Sequence, residues 1–214
     1  MTRKVFLFEI LLVAAALVAT VVAYSHLPDR VATHWNMNLK PNGDSPKWAL
    51  FLLGPGLMTG IMLFTQLGPW LSPKQFEVDN FRSTYRQIML MLFCMMAYLF
   101  AVMLWAGAGH RIDAGRAVVG GVCLIIALMG NVMGKVRRNF FIGVRTPWTL
   151  ARERVWNDTH RFAAKTFVAG GLLGLTFTIL GLHRWPLIAL LAGALAPVIY
   201  SLISYKQLER HGGL

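Results

Sequence analysis

Charged and aromatic residues are concentrated in one stretch of this chain, residues 137–165, which contains six Arg and one Lys (RRNFFIGVRTPWTLARERVWNDTHRFAAK). Within this stretch Arg145 directly precedes Thr146 and Pro147. That pair is typical of a helix start, because Thr caps the first turn and Pro needs no N–H there. The N-terminus of a helix attracts anions, and a guanidinium offers them a planar fork. The spacing therefore indicates a site for a carboxylate or a phosphate.

The residues after Pro147 have the period of an amphipathic helix. Trp148 and Trp156 fall on one face, and Arg154 and Asp158 fall on the other, where they are spaced to pair. An apolar face with two Trp opposite a charged face is typical of a helix that lies in the membrane interface. We predict such a helix here. It serves either as a connector anchored by its tryptophans or as a surface that binds a ligand or a partner.

Metal binding and catalysis find little support in the sequence. His26, Asp29, His34 and Asp44 lie close together in residues 25–47, but their spacing matches no established metal site. The sequence shows no nucleophile beside a base, no carboxylate pair at catalytic spacing and no phosphate-binding Gly loop. We therefore predict no metal, no cofactor and no enzymatic activity.

Composition shows which elements must position these residues: 56% of the chain is hydrophobic and only 14% is charged, against about 25% in a soluble domain. The apolar residues form six blocks, each near the roughly 20 residues that an α-helix needs to cross a bilayer. The blocks are 5–24, 48–67, 88–106, 117–136, 164–182 and 186–205. The first is too long for the apolar region of a cleaved signal peptide and contains Glu9, so we predict a retained span. Glu9 lies near the inner end of this span, where it could reach the interface or pair with Lys4.

Positive charge is distributed unevenly between the loops. The N-terminus, the second and fourth loops and the C-terminus contain 15 of the 21 Lys and Arg residues, and such residues mark the cytoplasmic side. We predict an all-α integral membrane protein of the inner (plasma) membrane. It has six transmembrane helices, both termini inside, and the interfacial helix in the fourth, cytoplasmic loop. The net charge of +12 then reflects topology and contact with membrane lipid, and we predict no direct binding of nucleic acid.

Glycines and prolines within the spans predict how the helices pack. Residues 54–56 (Gly-Pro-Gly) should weaken or kink the second span, and Pro197 should kink the sixth. Pairs of Gly four residues apart let another backbone approach closely. They are Gly56 and Gly60, Gly130 and Gly134, and Gly170 and Gly174. Packing within one bundle and formation of a homo-oligomer both fit this spacing.

Two phrases in the basic stretch, NFFIGVRTPWTL (139–150) and VWNDTHR (155–161), closely resemble the signature of the SdpI family of bacterial membrane immunity proteins. One departure follows them, because the family commonly has Gly where this chain has Phe162. We refer to residues 137–165 as the signature loop.

The first external loop adds a second resemblance. LPDRVATHWN (27–36) and PNGDSPK (41–47) are similar to the short domain of uncharacterised function that often precedes the SdpI-type domain. A Gly that is frequent a few residues after H-W-N is replaced here, by Leu39 or a neighbour. The two resemblances together cover the N-terminal quarter and the C-terminal third of the chain, in the order of the family.

The resemblance implies immunity to a secreted, membrane-active antimicrobial peptide. In some family members it also implies signalling, in which the membrane protein captures a transcriptional repressor. A peptide toxin on the external face and a cytoplasmic repressor are therefore the implied partners. The residues alone leave a second interpretation open, in which the kinked spans form the path of a small transporter or a lipid-handling protein.

Two sets of residues are the predicted binding residues. In the signature loop they are Asn139, Gly143, Arg145, Thr146, Pro147, Trp148, Thr149, Trp156, Asn157, Thr159, His160 and Arg161. In the external loop they are His34, Trp35, Asn36, Gly43 and Lys47. The predicted domains are a two-span unit at 1–67, a third span with its loops at 68–116, an SdpI-type domain at 117–205 and a basic tail at 206–214.

Overall fold

A computed structural model describes residues 3–36 and 38–211 and places there six helices that are long and apolar enough to cross a membrane. They are Arg3–Ala23, Ala49–Leu71, Val78–Gly107, Ala114–Met133, Glu153–Ile179 and Trp185–Arg210. The six predicted spans are therefore confirmed. The third and fifth helices begin well before their apolar blocks, because each also contains a charged first section that a hydropathy pattern excludes.

Contacts divide the chain into two compact units. The first unit is Met1–Thr65 with Met89–Val122, and the second is Gln66–Ile88 with Cys123–Leu214. The first contains α1 (Arg3–Ala23), β1 (Arg30–Trp35), β2 (Pro41–Pro46), α2 (Ala49–Phe51), part of α3 (Leu57–Leu71), most of α4 (Arg82–Gly107) and the start of α5 (Ala114–Met133). The second contains the remaining parts of these helices with α6 (Pro147–Ala151), α7 (Glu153–Ile179) and α8 (Trp185–Arg210).

The second span is irregular at its Gly-Pro-Gly sequence, as predicted. A π-helical turn, Leu52–Gly56, separates α2 from α3. Pro55 has no N–H to continue a regular helix, which explains the interruption at this point. A side chain at Gly54 would overlap the ring of Phe100, a buried residue of the core of the first unit. Glycine at this position therefore allows the aromatic ring of α4 to pack directly against the backbone.

Glu9 is enclosed by the protein rather than placed at the membrane surface. Only 1% of its surface is exposed, and its Oε2 atom has no hydrogen-bond partner within the described residues. Among those residues it forms no ion pair with Lys4. The expectation that this carboxyl group reaches the interface is wrong, because neighbouring helices cover it.

A small β-hairpin in the external loop departs from the all-α prediction. β1 and β2 are antiparallel, with Arg30 opposite Pro46 and Trp35 opposite Pro41, and the register is irregular around His34. The second strand reads PNGDSP, a sequence of turn residues with low intrinsic β-propensity. It is extended because it pairs with β1, and a local sequence pattern does not show that pairing.

The predicted interfacial helix is wrong. α6 starts at Pro147 but contains only five residues, and Arg152 after it is extended (φ −134°, ψ 127°). α7 then runs without interruption from Glu153 through the fifth span. Trp148 and Trp156 therefore lie on different helices and do not share an apolar face.

Close packing through glycine joins the helices of the second unit. α7 and α8 form an antiparallel pair, and a side chain at Gly170 would lie 2.8 Å from the carbonyl oxygen of Ala189. A side chain at Gly130 would lie 2.7 Å from the backbone nitrogen of Val168. Packing within the chain thus accounts for these two glycines. Gly60 is different, because a side chain there would meet nothing within 4 Å.

Candidate functional site

A buried asparagine closes the start of the signature loop. The side-chain oxygen of Asn139 accepts hydrogen bonds from the backbone N–H groups of Phe141 (2.8 Å) and Ile142 (2.7 Å). Its amide nitrogen donates to the carbonyl oxygens of Arg137 (2.8 Å) and Ile142 (2.9 Å). Asn provides an acceptor and two donors, so one side chain satisfies four backbone groups. These bonds hold residues 137–142 in a tight turn.

Gly143 and His160 connect the loop to α7. Gly143 has φ 118°, a conformation that L side chains rarely adopt, and a side chain there would overlap the His160 ring. The N–H of Val144 donates to Nε2 of His160 (3.0 Å), so Nε2 is unprotonated. Nδ1 therefore has the proton and donates to the carbonyl oxygen of Trp156 (2.8 Å). His160 is thus a neutral ring that two backbone groups hold in place.

Trp156 packs inside the second unit instead of facing lipid. Its indole N–H donates to the carbonyl oxygen of Val136 (2.8 Å), and its ring stacks on His160 with the centroids 4.0 Å apart. Both rings are fully buried. Trp156 therefore joins the end of the fourth span to the signature loop, and its predicted position on a lipid-facing helix surface is wrong.

Two threonines close the first turn of α6 in a capping box. The N–H of Thr146 donates to the hydroxyl oxygen of Thr149 (2.9 Å), and the N–H of Thr149 donates to that of Thr146 (3.2 Å). The Thr149 hydroxyl donates to the carbonyl oxygen of Val144 (2.8 Å). The Thr146 hydroxyl also lies 3.1 Å from that of Ser201, which attaches the loop to α8. The predicted helix start at Thr146 and Pro147 is confirmed.

The predicted anion site at this helix start has few free donors. The exposed guanidinium of Arg145 donates to the carbonyl oxygen of Phe140 and lies 5.9 Å from the centre of that ring. The capping box occupies the N–H groups of Thr146 and Thr149, and Pro147 has none. An anion would therefore meet the guanidinium rather than a cluster of backbone donors.

The predicted residues of the signature loop differ in exposure. Asn139, Thr146, Thr149, Trp156, Thr159 and His160 are buried, Gly143, Trp148 and Asn157 are partly buried, and Arg145, Pro147 and Arg161 are exposed. Most of the buried members form the hydrogen bonds that fold the loop. Thr159 is different, because its hydroxyl has no hydrogen-bond partner within the described residues. Only the exposed and partly buried members are placed to meet a partner.

Some residues that matter here were missed in the sequence. Val136 contributes a carbonyl oxygen and Ser201 a hydroxyl from another helix, so no local pattern points to either. Phe162 had a visible signal, since it replaces a Gly that is common in the family. Its ring stacks on Tyr200 of α8 at a centroid distance of 4.6 Å. The departure from the family pattern thus coincides with a contact between α7 and α8.

Asn36 organises the turn of the external hairpin. Its side-chain oxygen accepts hydrogen bonds from the N–H groups of Asn38 (2.9 Å) and Lys40 (3.1 Å). Leu39 within this turn has φ 61°, a left-handed conformation that suits Gly. The Gly expected after H-W-N is therefore replaced at a position whose backbone still has the conformation typical of Gly.

The other predicted external residues also shape the hairpin. Nδ1 of His34 lies 2.6 Å from the side-chain oxygen of Asn42. Gly43 leaves room for this histidine, because a side chain there would lie 3.0 Å from Cβ of His34. Nζ of Lys47 lies 3.3 Å from a carboxylate oxygen of Asp29, which joins the two ends of the hairpin. These residues maintain the shape of the loop, while Trp35 borders a cavity.

A cavity of about 520 Å³ in the first unit separates the hairpin from residues 106–115. Trp35 and Ile112 contribute to its apolar wall, and Arg30 and Lys40 bring positive charge to it. Arg30 is paired with Asp44 at 2.7 Å, and its hydrogen bond lowers the pKa of the Asp44 carboxyl group. Lys40 has no ion-pair partner in the part of the chain that the structure describes. The cavity therefore combines an apolar wall with one free cation.

Six helices that can span a membrane, with a hydrogen-bonded loop between the fourth and the fifth, define a multi-pass helical membrane protein. Residues 135–203 match the SdpI/YfhL protein family, and residues 11–59 match a domain of unknown function (DUF1648). The chain is 24% identical over 207 residues to the protein named Immunity protein SdpI of Bacillus subtilis, which covers 97% of each chain. The chain is thus a membrane protein of the SdpI family. No solved structure matches it.

Proposed function

We propose that this protein protects the cell that makes it from a secreted, membrane-active antimicrobial peptide. The observation that carries the proposal is the similarity to Immunity protein SdpI of Bacillus subtilis over 97% of both chains. The two family matches include the external hairpin and the signature loop, so the support does not rest on one segment.

The external cavity is the part of the first unit that such a peptide would contact. Membrane-active peptides present apolar side chains, for which the Trp35 and Ile112 wall offers a partner. Lys40 can bind a carboxylate of the same peptide, because no ion pair within the described residues neutralises it. An apolar segment close to an acidic group is therefore the peptide chemistry that this cavity favours.

A cytoplasmic repressor is the second partner in this proposal. Arg145 and Arg161 are exposed members of the signature loop, and Arg152 beside them is exposed as well. Positive charges of this kind steer an acidic protein surface toward the membrane and select its orientation. Capture of a repressor would then depend on these side chains, whereas the buried residues of the loop keep them in position.

The test is expression in a strain that is sensitive to membrane-active peptides, followed by peptide challenge at matched protein levels. We expect the protein to raise the inhibitory peptide concentration, and Lys40→Glu to reduce this protection. Arg111→Glu is the matched control, because Arg111 is an exposed cation on the same predicted side that does not border the cavity. Failure of the wild-type protein to protect against any secreted membrane-active peptide would contradict the proposed function.

One observation favours transport as a second candidate function. An ionisable residue within a membrane span is expensive and commonly functional, and Glu9 is enclosed with Oε2 unpartnered in the described residues. In proteoliposomes that contain a pH-sensitive dye, a proton-coupled transporter would give a flux that Glu9→Gln abolishes. Glu153→Gln removes an exposed carboxylate and should leave the flux unchanged. Absence of flux from the wild-type protein would exclude proton-coupled transport.

A further inference from the structure

A polar groove of about 440 Å³ lies between the start of α7 and the end of α8, on the opposite side of the second unit from the short turn between these helices. Its lining includes a cation, a carboxylate, two hydroxyls and an amide. These side chains are Arg154, Asp158, Tyr200, Ser204 and Gln207. None of the five forms a hydrogen bond or an ion pair through its side chain within residues 3–36 and 38–211.

The two charged groups of this groove are the informative ones. Arg154 and Asp158 are four residues apart on α7, a spacing at which opposite charges on a helix are neighbours. They were expected to pair with each other, yet the described residues contain no ion pair between them. Ser204 next to them is 9% exposed and its hydroxyl also has no partner in this part of the chain. Polar groups so enclosed usually have partners, so the groove indicates a bound molecule.

The groove is at the depth of lipid headgroups. Asp158 precedes the predicted apolar span at 164 by six residues, which is about 9 Å along a helix. The headgroup layer extends roughly 5–8 Å beyond the hydrocarbon on each side of a bilayer. Tyr200 and Ser204 lie at the end of the other predicted span, 186–205. The groove therefore extends from the edge of the hydrocarbon into the headgroup layer.

We propose that this groove binds the headgroup of a zwitterionic phospholipid with a primary ammonium, phosphoethanolamine. Arg154 binds the phosphate through its planar fork, and Asp158 accepts hydrogen bonds from the ammonium. The phosphate and the ammonium are separated by two carbon atoms, a distance that suits side chains one helical turn apart. Tyr200, Ser204 and Gln207 can donate to the remaining phosphate and ester oxygens.

The carboxylate makes this headgroup a better fit than others. A purely anionic headgroup would place negative charge next to Asp158, which costs energy in a partly enclosed groove. A choline headgroup has a quaternary ammonium without N–H groups, so it offers Asp158 no hydrogen bond. The inference concerns a lipid site and does not depend on immunity or on repressor capture.

The experiment measures lipid binding to the purified full-length protein by native mass spectrometry. The probes are phosphatidylethanolamine, its mono-, di- and trimethylated forms, and phosphatidylglycerol, all with the same acyl chains. We expect binding to fall as N–H groups are replaced by methyl groups, by about tenfold over the whole series, as for the loss of one charge-assisted hydrogen bond. This series needs no variant, so its result holds whether or not a substitution disturbs folding.

Variants then locate the site. Asp158→Asn should abolish the preference for phosphatidylethanolamine over its trimethylated form, and Arg154→Gln should weaken binding of both. Glu153→Gln is the matched control, because Glu153 is an exposed carboxylate at the same helix end that does not line the groove. Equal binding of all methylated forms, tightest binding of phosphatidylglycerol, or a preference that Asp158→Asn preserves would each overturn the proposal. So would a copurified polypeptide that occupies the groove and that phosphatidylethanolamine does not displace.

Discussion

Removal of the Asn139 side chain should destabilise the protein more than any other substitution of a polar residue in the signature loop. Ile142 is buried, and both its N–H and its carbonyl oxygen bind this side chain. Each buried backbone group that loses its partner costs about 1–3 kcal/mol, so Asn139→Ala should cost about 2–5 kcal/mol from Ile142 alone. For a protein of this size each kcal/mol lowers the Tm by about 2–4 °C, which predicts a fall on the order of 5–15 °C.

Asn139→Asp separates the two halves of this effect. The aspartate retains an oxygen that can accept from the N–H of Ile142, but it replaces the donating NH₂ group with a second oxygen. That oxygen would face the carbonyl oxygens of Arg137 and Ile142, which now lie 2.8 Å and 2.9 Å from the amide nitrogen. We therefore expect Asn139→Asp to be at least as destabilising as Asn139→Ala, although it is nearly isosteric.

The assay is thermal unfolding of the purified protein in one detergent, followed by Trp fluorescence. The control is Asn157→Ala, since Asn157 is also part of the signature but is only partly buried and has no side-chain hydrogen bond in the described residues. Its Tm should change little. The same Tm for Asn139→Ala and Asn157→Ala would refute the role of Asn139 as the residue that closes the turn.

Three further predictions address conformation, binding and topology. Gly143→Ala should cost about 1–3 kcal/mol from its positive φ alone, and Gly60→Ala should cost far less, as compared by the same unfolding assay. Arg145→Lys should reduce peptide protection while Arg137→Lys does not, if the planar guanidinium binds a partner; equal activity of the two variants at matched levels would show that only charge matters. A reporter fused after Lys40 should behave as external, and a cytoplasmic signal from that fusion would overturn the predicted topology.

The membrane spans could be predicted from the sequence because hydrophobic length is a local property. A block of about 20 apolar residues has few alternatives to a transmembrane helix, since every backbone polar group must be satisfied within it. The capped start at Thr146 and the irregular turn at Pro55 were predictable for the same reason. Each depends on the chemistry of a few adjacent residues. The two resemblances to known domains were also visible in short, continuous phrases.

The interior of the signature loop could not be predicted in this way. Trp156 and Arg152 fit an amphipathic helical pattern in sequence, but the extended backbone at Arg152 ends that pattern and Trp156 is buried. The pattern reports only which faces would be apolar if one helix continued. It contains no term for a partner such as the carbonyl oxygen of Val136, which is distant in sequence and has no side-chain signature.

The sequence by itself determined that this protein is a six-span membrane protein with an SdpI-type signature, because hydropathy and short motifs are properties of adjacent residues. Only the tertiary structure decided which signature residues maintain the fold and which remain accessible. His160 illustrates the difference, since its two nitrogens bind backbone groups of Val144 and Trp156 in two separate segments. A buried polar side chain is defined by the groups that satisfy it, and those groups come together only when distant segments pack.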